Sequence, residues 1–124
     1  MAQSPGFIPM GKAIEMTKRF RQNKKGIIHP SHEGKDLLAN SDKFDRTVFE
    51  TLLAKPGCKG IRIYYGMKDD LKICPIVVAV DDKDRDILPA GDMLESAAVE
   101  GDNVGDDTIR CPPICPPPSP LNEP

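Results

Sequence analysis

Gly60-Ile61-Arg62-Ile63-Tyr64-Tyr65-Gly66 decides the fold together with Leu71-Lys72-Ile73-Cys74-Pro75-Ile76-Val77-Val78-Ala79-Val80. The first stretch alternates with period two and is rich in β-formers, which predicts a strand. Lys68-Asp69-Asp70 has turn composition, and the second stretch predicts a strand that is apolar on both faces. Two strands joined by so short a turn pair antiparallel. Asp81 to Arg85 turns the chain again, and residues 86–89 are expected to add a short third strand. Pro75 has no N–H to give to a ladder, so its strand meets an edge or a bulge there.

A sheet packed on one face normally shows water a polar second face. Here Cys74, Ile76, Val78 and Val80 oppose Ile73, Val77 and Ala79, so the second face also needs cover. Either the C-terminal tail folds back over it or a second copy of the chain does. Three strands and two helices make a thin core, so self-association as a homodimer is expected.

Upstream, Met10, Ala13, Ile14, Thr17 and Phe20 recur at helical spacing, with Lys12, Lys18, Arg19 and Arg21 elsewhere around the wheel. Pro9 suits the first helical position, where its missing N–H costs nothing. Gly26 suits the stop, with Lys24 and Lys25 near the negative end of the helix dipole. Residues 27–40 contain Pro30, Gly34 and both histidines and read as loop. A second helix is expected from Ser41 or Asp42 to Ala54. Phe44, Val48 and Leu52 repeat every four residues, Phe49 and Leu53 widen the stripe, and Pro56-Gly57 ends it. The fold class is therefore α+β: two helices packed on one face of a small antiparallel sheet of two to three strands, with an extended Pro-rich tail.

The chain has 124 residues and a net charge of −2, enough for one domain and no second core of ordinary size. Near-neutral charge gives no general reason to expect nucleic acid or a membrane as partner. No apolar run approaches the ~20 residues that span a bilayer, and Met1 to Gly11 lacks the basic start of a signal peptide. A cytoplasmic protein with reduced cysteines is the expectation. Charge is distributed unevenly: residues 1–80 hold 14 basic and 8 acidic side chains, residues 81–107 hold 2 and 10. Seven of the 13 prolines follow Cys111. These shifts divide the chain into an α+β domain over 9–90, an acidic mobile loop or linker over 91–107, and a Pro-rich tail over 108–124, docked back on the domain.

Candidate chemistry begins with the cysteines. Cys111 and Cys115, with His29 and His32, supply the thiolate and imidazole types that zinc prefers. Yet an extended polyproline segment rises ~3.1 Å per residue, which would hold the two sulfurs' residues roughly 12 Å apart. A disulfide needs Cα atoms within ~7 Å, so a bridge or a shared metal requires a sharp bend at Pro112-Pro113. Free thiols on a docked tail are favoured, with zinc or another metal, or a reversible or structural disulfide, as alternatives. Cys58 lies between Lys55 and Lys59, which lower a thiol's pKa, and just past a helix C-terminus, which raises it. His29 and His32 read as a loop pair available as bases or ligands. Asp82, Asp84 and Asp86 have the one-apart carboxylates of a calcium loop, but Ile87 stands where the turn needs Gly. The basic run Lys18, Arg19, Arg21, Lys24 and Lys25 has no groove-reading pattern or stacking platform beside it, so nucleic-acid binding is not expected. Arg62 and Tyr64 share one face of their strand, and with Tyr65 nearby they offer a polar-aromatic patch suited to recognition or to the dimer seam.

With residues 57–66 and Cys111-Pro112-Pro113-Ile114-Cys115 in view, the chain resembles a group of small uncharacterised bacterial proteins. These are similar in an N-terminal helix, a Gly-x-Arg-Ile-Tyr-Tyr-Gly-like strand, a valine-rich strand and a late cysteine-proline motif, over most of residues 9–121. The resemblance implies no activity, but it directs interest to Arg62, Tyr64, Cys58, Cys111 and Cys115. Cys74 lies outside its pattern and reads as core. The sequence therefore points to a small non-catalytic binding or scaffolding domain with a protein or small-molecule partner. The alternative is a cysteine-centred metal or thiol-redox site.

Overall fold

The computed structural model describes residues 6–88, 104–105 and 108–122. The chain divides into two units, residues 42–109 and residues 1–41 with 110–124. The stretch expected as one domain over 9–90 is thus shared between them. The fold is α+β, with the sheet in the first of these units.

Helix α1 spans Met10–Asn23, β1 Ser41–Phe44, α2 Arg46–Leu53, β2 Gly60–Met67, β3 Ile73–Val80, β4 Val104–Gly105 and β5 Thr108–Cys111. The three-stranded sheet has the order β2-β3-β4, and β1 pairs with β5 in a separate two-stranded sheet. Strands β2 and β3 are antiparallel along their whole length, from Gly60 opposite Val80 to Met67 opposite Ile73. The turn between them closes with Lys68 N donating to Lys72 O (2.9 Å) and Leu71 N to Lys68 O (2.8 Å). The third strand falls at Val104–Gly105, beside Val78 and Val77, rather than at residues 86–89. Among the described residues there, only Asp86 makes a bridge, to Val80. The rest of the acidic segment 91–107 lies outside the described residues. β4 stops at Val77, so Pro75 sits where β4 asks for no donor.

The second helix begins later than its hydrophobic spacing predicts. Residues 41–44 form β1, and Asp45 caps α2 by accepting from Thr47 N (3.2 Å) and from the Thr47 hydroxyl. Those two bonds, the hydroxyl's first, hold the Asp45 carboxyl below its ordinary range. Phe44 thus precedes the cap, and its ring meets Phe49 edge to face with centroids 5.5 Å apart. An apolar residue before the cap packed on the fourth helical residue is a hydrophobic staple. The Phe44 position that looks like one more helical repeat is that staple.

Cross-strand partners share a face, so Ile61, Ile63, Tyr65 and Met67 lie on one side of the sheet with Ala79, Val77, Pro75 and Ile73. Leu52 of α2 packs here on Val77 and Ala79, ringed by Phe44, Val48, Phe49, Cys58, Ile61 and Ile87. A helix of 8 residues is only about 12 Å long, whereas an eight-residue strand runs about 26 Å. Helix α2 therefore covers only one end of this face. At the other end Ile63, Tyr65 and Met67 stay 52%, 83% and 62% exposed.

In the second unit, α1 starts after Pro9, which is the cap residue rather than the first helical one. It ends at Asn23 and tightens into a 3-10 turn, Lys24–Ile27, so Gly26 lies inside that turn instead of stopping the helix. No residue of α1 is buried. Lys24 Nζ donates to Leu38 O (2.9 Å) and Asn40 Oδ1 (2.7 Å), and burial lowers its pKa. Arg21 donates to Leu121 O (2.5 Å) and Asn40 N to Cys111 O (2.8 Å), which ties the tail to the N-terminal segment.

Adjacent leucines test this packing. Leu52 is 1% exposed and Leu53 56%. Leu52→Ala should lower unfolding free energy by about 2–5 kcal/mol, while Leu53→Ala should change it by under about 0.5 kcal/mol, read by urea denaturation.

Candidate functional site

The face of the sheet opposite α2 carries Arg62 and Tyr64, placed beside Val78 and Ile76 by the β2–β3 register. The Asp81–Asp86 turn brings Asp86 to the far side of β3, bridged to Val80, with Ile87 N donating to Ala79 O (2.8 Å). Arg62 reaches across β3 and gives Nη1 to Asp86 Oδ1, while the Tyr64 hydroxyl donates to Asp86 Oδ2. Arg62 Nη2 donates to Asp84 Oδ1 (2.5 Å) and to Asp84 O (3.3 Å). One carboxylate thus holds a guanidinium and a phenol together above the valines of β3.

The turn that supplies the carboxylates is built by a different aspartate. Asp81 Oδ1 accepts from Lys83 N (2.8 Å) and Arg85 N (2.9 Å), and Oδ2 from Arg85 Nε (2.9 Å). The Arg85 backbone bond leads in holding the Asp81 carboxyl below its ordinary range. Asp84, in the left-handed region at φ 64°, redirects the chain so that its own carboxylate meets Arg62. Two of the three alternating aspartates that suggested a calcium loop therefore have protein partners: Asp84 and Asp86 take Arg62, and Asp86 also takes Tyr64.

These bonds change the patch's chemistry. The hydrogen bond from Arg62 to Asp86 raises the guanidinium's already high pKa, so its charge is permanent. The Tyr64 phenol is raised above its ordinary value, first by the bond it donates to Asp86 and then by desolvation. Arg62 and Tyr64 are a fixed cation and a fixed neutral hydroxyl, suited to orienting a partner's polar groups. Tyr65 belongs to the other face, where it stands largely in solvent. The three residues expected to form one patch therefore occupy two faces of β2.

The cysteine candidates separate as well. Cys111 and Cys115 form a disulfide, with Cα atoms 4.6 Å apart. The expectation of free thiols on an extended tail is corrected here: the segment is bent, with cis peptide bonds at Cys111-Pro112 and Pro112-Pro113. A bridged pair has no thiolates to offer a metal. Cys58 and Cys74 are free, Cys74 buried and Cys58 partly so, with the Cys58 thiol donating to Gly60 O (3.4 Å). His29 caps the short turn Pro30–His32 by accepting from Ser31 N (3.1 Å). The His32 ring stands edge-on to it at 6.3 Å and lines a cleft of about 100 Å³ with Lys24, Lys25, Leu37 and Leu38. Among the described residues, no three His, Cys, Asp or Glu side chains gather as metal ligands would. Among them, too, no helix is long and apolar enough to cross a membrane.

Asp84 and Asp86 are the site residues that sequence spacing missed as partners of Arg62. The usable signal was antiparallel register, since a turn directly after β3 returns beside the strand end that faces the start of β2. No family model, curated protein or solved structure matches this chain.

The Tyr64–Asp86 bond has a direct optical test, because the chain holds two tyrosines and no tryptophan. A phenol raised in the folded state contributes stability that is full below the ordinary tyrosine pKa of about 10 and is lost as pH rises through the folded value. Phenolate absorbance should show one tyrosine ionising later in wild type, and that step should move to lower pH in Asp86→Asn. An unchanged titration in the variant would show that Asp86 does not hold the phenol.

Proposed function

We propose that this protein is a small non-catalytic binding or scaffolding domain whose working surface is the Arg62/Tyr64 face of the sheet, assisted by the Pro-rich tail. The observation that carries this reading is the shared carboxylate of Asp86. It fixes a permanent cation and a neutral hydroxyl two residues apart on a strand, so neither side chain pays the full entropy of ordering when a partner arrives. Arg62 and Tyr64 are also residue types that concentrate binding energy at interfaces. Engaged in this way, Asp86 serves as an anchor and not as a general base. Tyr65 adds an exposed aromatic on the opposite face. The partner is a protein or a small molecule bearing acceptors for the guanidinium.

The test is amide chemical-shift mapping of labelled protein against a library of carboxylate-bearing fragments and short peptides. Ligands should shift residues 60–66 and 84–86 together, and Arg62→Ala should abolish those shifts while leaving the rest of the spectrum in place. Binding that survives Arg62→Ala, or that maps to the Lys24/His32 cleft, would overturn the assignment.

The disulfide favours a second reading, a dithiol–disulfide couple at Cys111 and Cys115. A partner dithiol would open the bridge, two electrons and two protons passing to the pair while the partner becomes the disulfide. Alkylation of native oxidised protein should then label Cys58 ahead of buried Cys74 and leave Cys111 and Cys115 unlabelled. Brief treatment with dithiothreitol should add two labels per chain, both mapping to 111 and 115. Labelling of all four cysteines without reductant would remove this reading.

A further inference from the structure

The outer edge of β2 has a hydrogen-bonding parity that its turn reveals. Lys68 donates to Lys72 at the end of the ladder, in the same register as Gly60 with Val80. Hydrogen-bonded pairs in an antiparallel ladder recur at every second residue, so the even residues of β2 point their N–H and C=O groups at β3. The bond from Ile87 to the outward carbonyl of Ala79 agrees with that parity. The backbone groups of Ile61, Ile63, Tyr65 and Met67 therefore point away from the sheet. Because β2 is the last strand in the order β2-β3-β4, nothing among the described residues pairs with them.

The same residues carry the apolar side chains that α2 is too short to cover. The edge has none of the usual protections: no proline, lysine or bulge interrupts Gly60–Met67, and its one charge, Arg62, is held by Asp84 and Asp86. We propose that this edge pairs with the β2 edge of a second copy, antiparallel about a twofold axis at Tyr64, to make one continuous six-stranded sheet. This concerns the edge of β2 and does not rest on what the Arg62/Tyr64 face binds.

Register selects the second copy as occupant. With Tyr64 opposite its own image, Ile63 meets Tyr65 twice and Ile61 meets Met67 twice, all as hydrogen-bonded pairs, and the two strands overlap from end to end. Arg62 then faces Gly66, so no like charges oppose. Just beyond the strand, where Lys59 N turns back to donate to Val80 O (2.7 Å), exposed Lys59 comes near exposed Asp69 of the second copy at both ends of the seam. Centring on Tyr65 instead would set Arg62 against Lys68, and centring on Ile63 would lose the Lys59–Asp69 pairs. The favoured register also brings the α2 end of each sheet beside the uncovered end of the other, which buries Tyr65 and Met67.

Sedimentation equilibrium of the full chain should show a concentration-dependent dimer, weakened about tenfold or more by Tyr65→Lys, which inserts an edge charge without touching the β3 ladder. Tyr64→Cys under mild oxidation should trap a cross-linked dimer, because residues facing across a non-hydrogen-bonded pair lie about 4.5 Å apart. Met67→Cys, which faces Ile61, should give no such trap and controls for the native thiols. A wild-type protein that stays monomeric at every concentration would overturn the proposal even if a variant misfolds. So would a dimer unaffected by Tyr65→Lys, or equal cross-linking at 64 and 67. A monomer that still binds fragments at Arg62, or a dimer that binds none, separates this proposal from the face-binding one.

Discussion

The β2–β3 register is the constraint from which the sheet unit follows. Side chains alternate with period two, so a slip of one residue would send Arg62 and Tyr64 into the core and Ile61 and Ile63 out of it. In the observed pairing Ile61 lies beside Ala79 under α2, and Arg62 lies beside Val78 on the reverse. The Arg62–Asp86 and Tyr64–Asp86 bonds then lock the pairing from the second face, because they cross β3 and fit only where Asp86 bridges Val80. Packing on one side and charge on the other specify the same alignment.

That arrangement also answers how an apolar strand is tolerated on both faces. Val78 and Val80 are buried, and the side chains of Arg62 and Tyr64 span the strand that carries them. Long polar side chains can lay their apolar stems over hydrophobic surface while their heads find partners, so a face that reads as uncovered in sequence is partly roofed by its own neighbours.

The two strands were legible because alternation and β-branched content are local properties, and the cap of α2 was nearly so. Asp45 before Thr47 is an N-cap signature, but Phe44, Val48 and Leu52 at four-residue spacing carry the apolar repeat past it. A staple and a helical repeat put an apolar residue at nearly the same offset, and only the pairing of residues 41–44 with β5 distinguishes them. The Cys111–Cys115 bridge was among the readings the residues allowed but not the favoured one, for a different reason. Distance along a proline-rich segment is reckoned from trans, extended geometry, and the chain here is bent. Asp86 as the anchor of Arg62 and Tyr64 depends on 24- and 22-residue separations that only the sheet brings together.

The first and last parts of the chain belong to one unit, with residues 42–109 between them. Synthesis on the ribosome proceeds from the N-terminus, so residues 1–41 emerge long before the segment they pack with exists. The β2–β3 hairpin, by contrast, joins its strands across a short turn and can form as soon as residue 80 is free. Local contacts form quickly, whereas bringing distant ends together carries a loop-closure cost that grows with the length enclosed. The nascent chain therefore presents a finished hairpin with an open edge while its terminal unit is still waiting for residues 110–122. On a polysome, neighbouring chains at that stage hold the same bare edge at high local concentration, and a bare strand edge is a template for another. The β2 pairing proposed above would thus have its first opportunity during translation, before residues 110–122 reach the unit they share with residues 1–41.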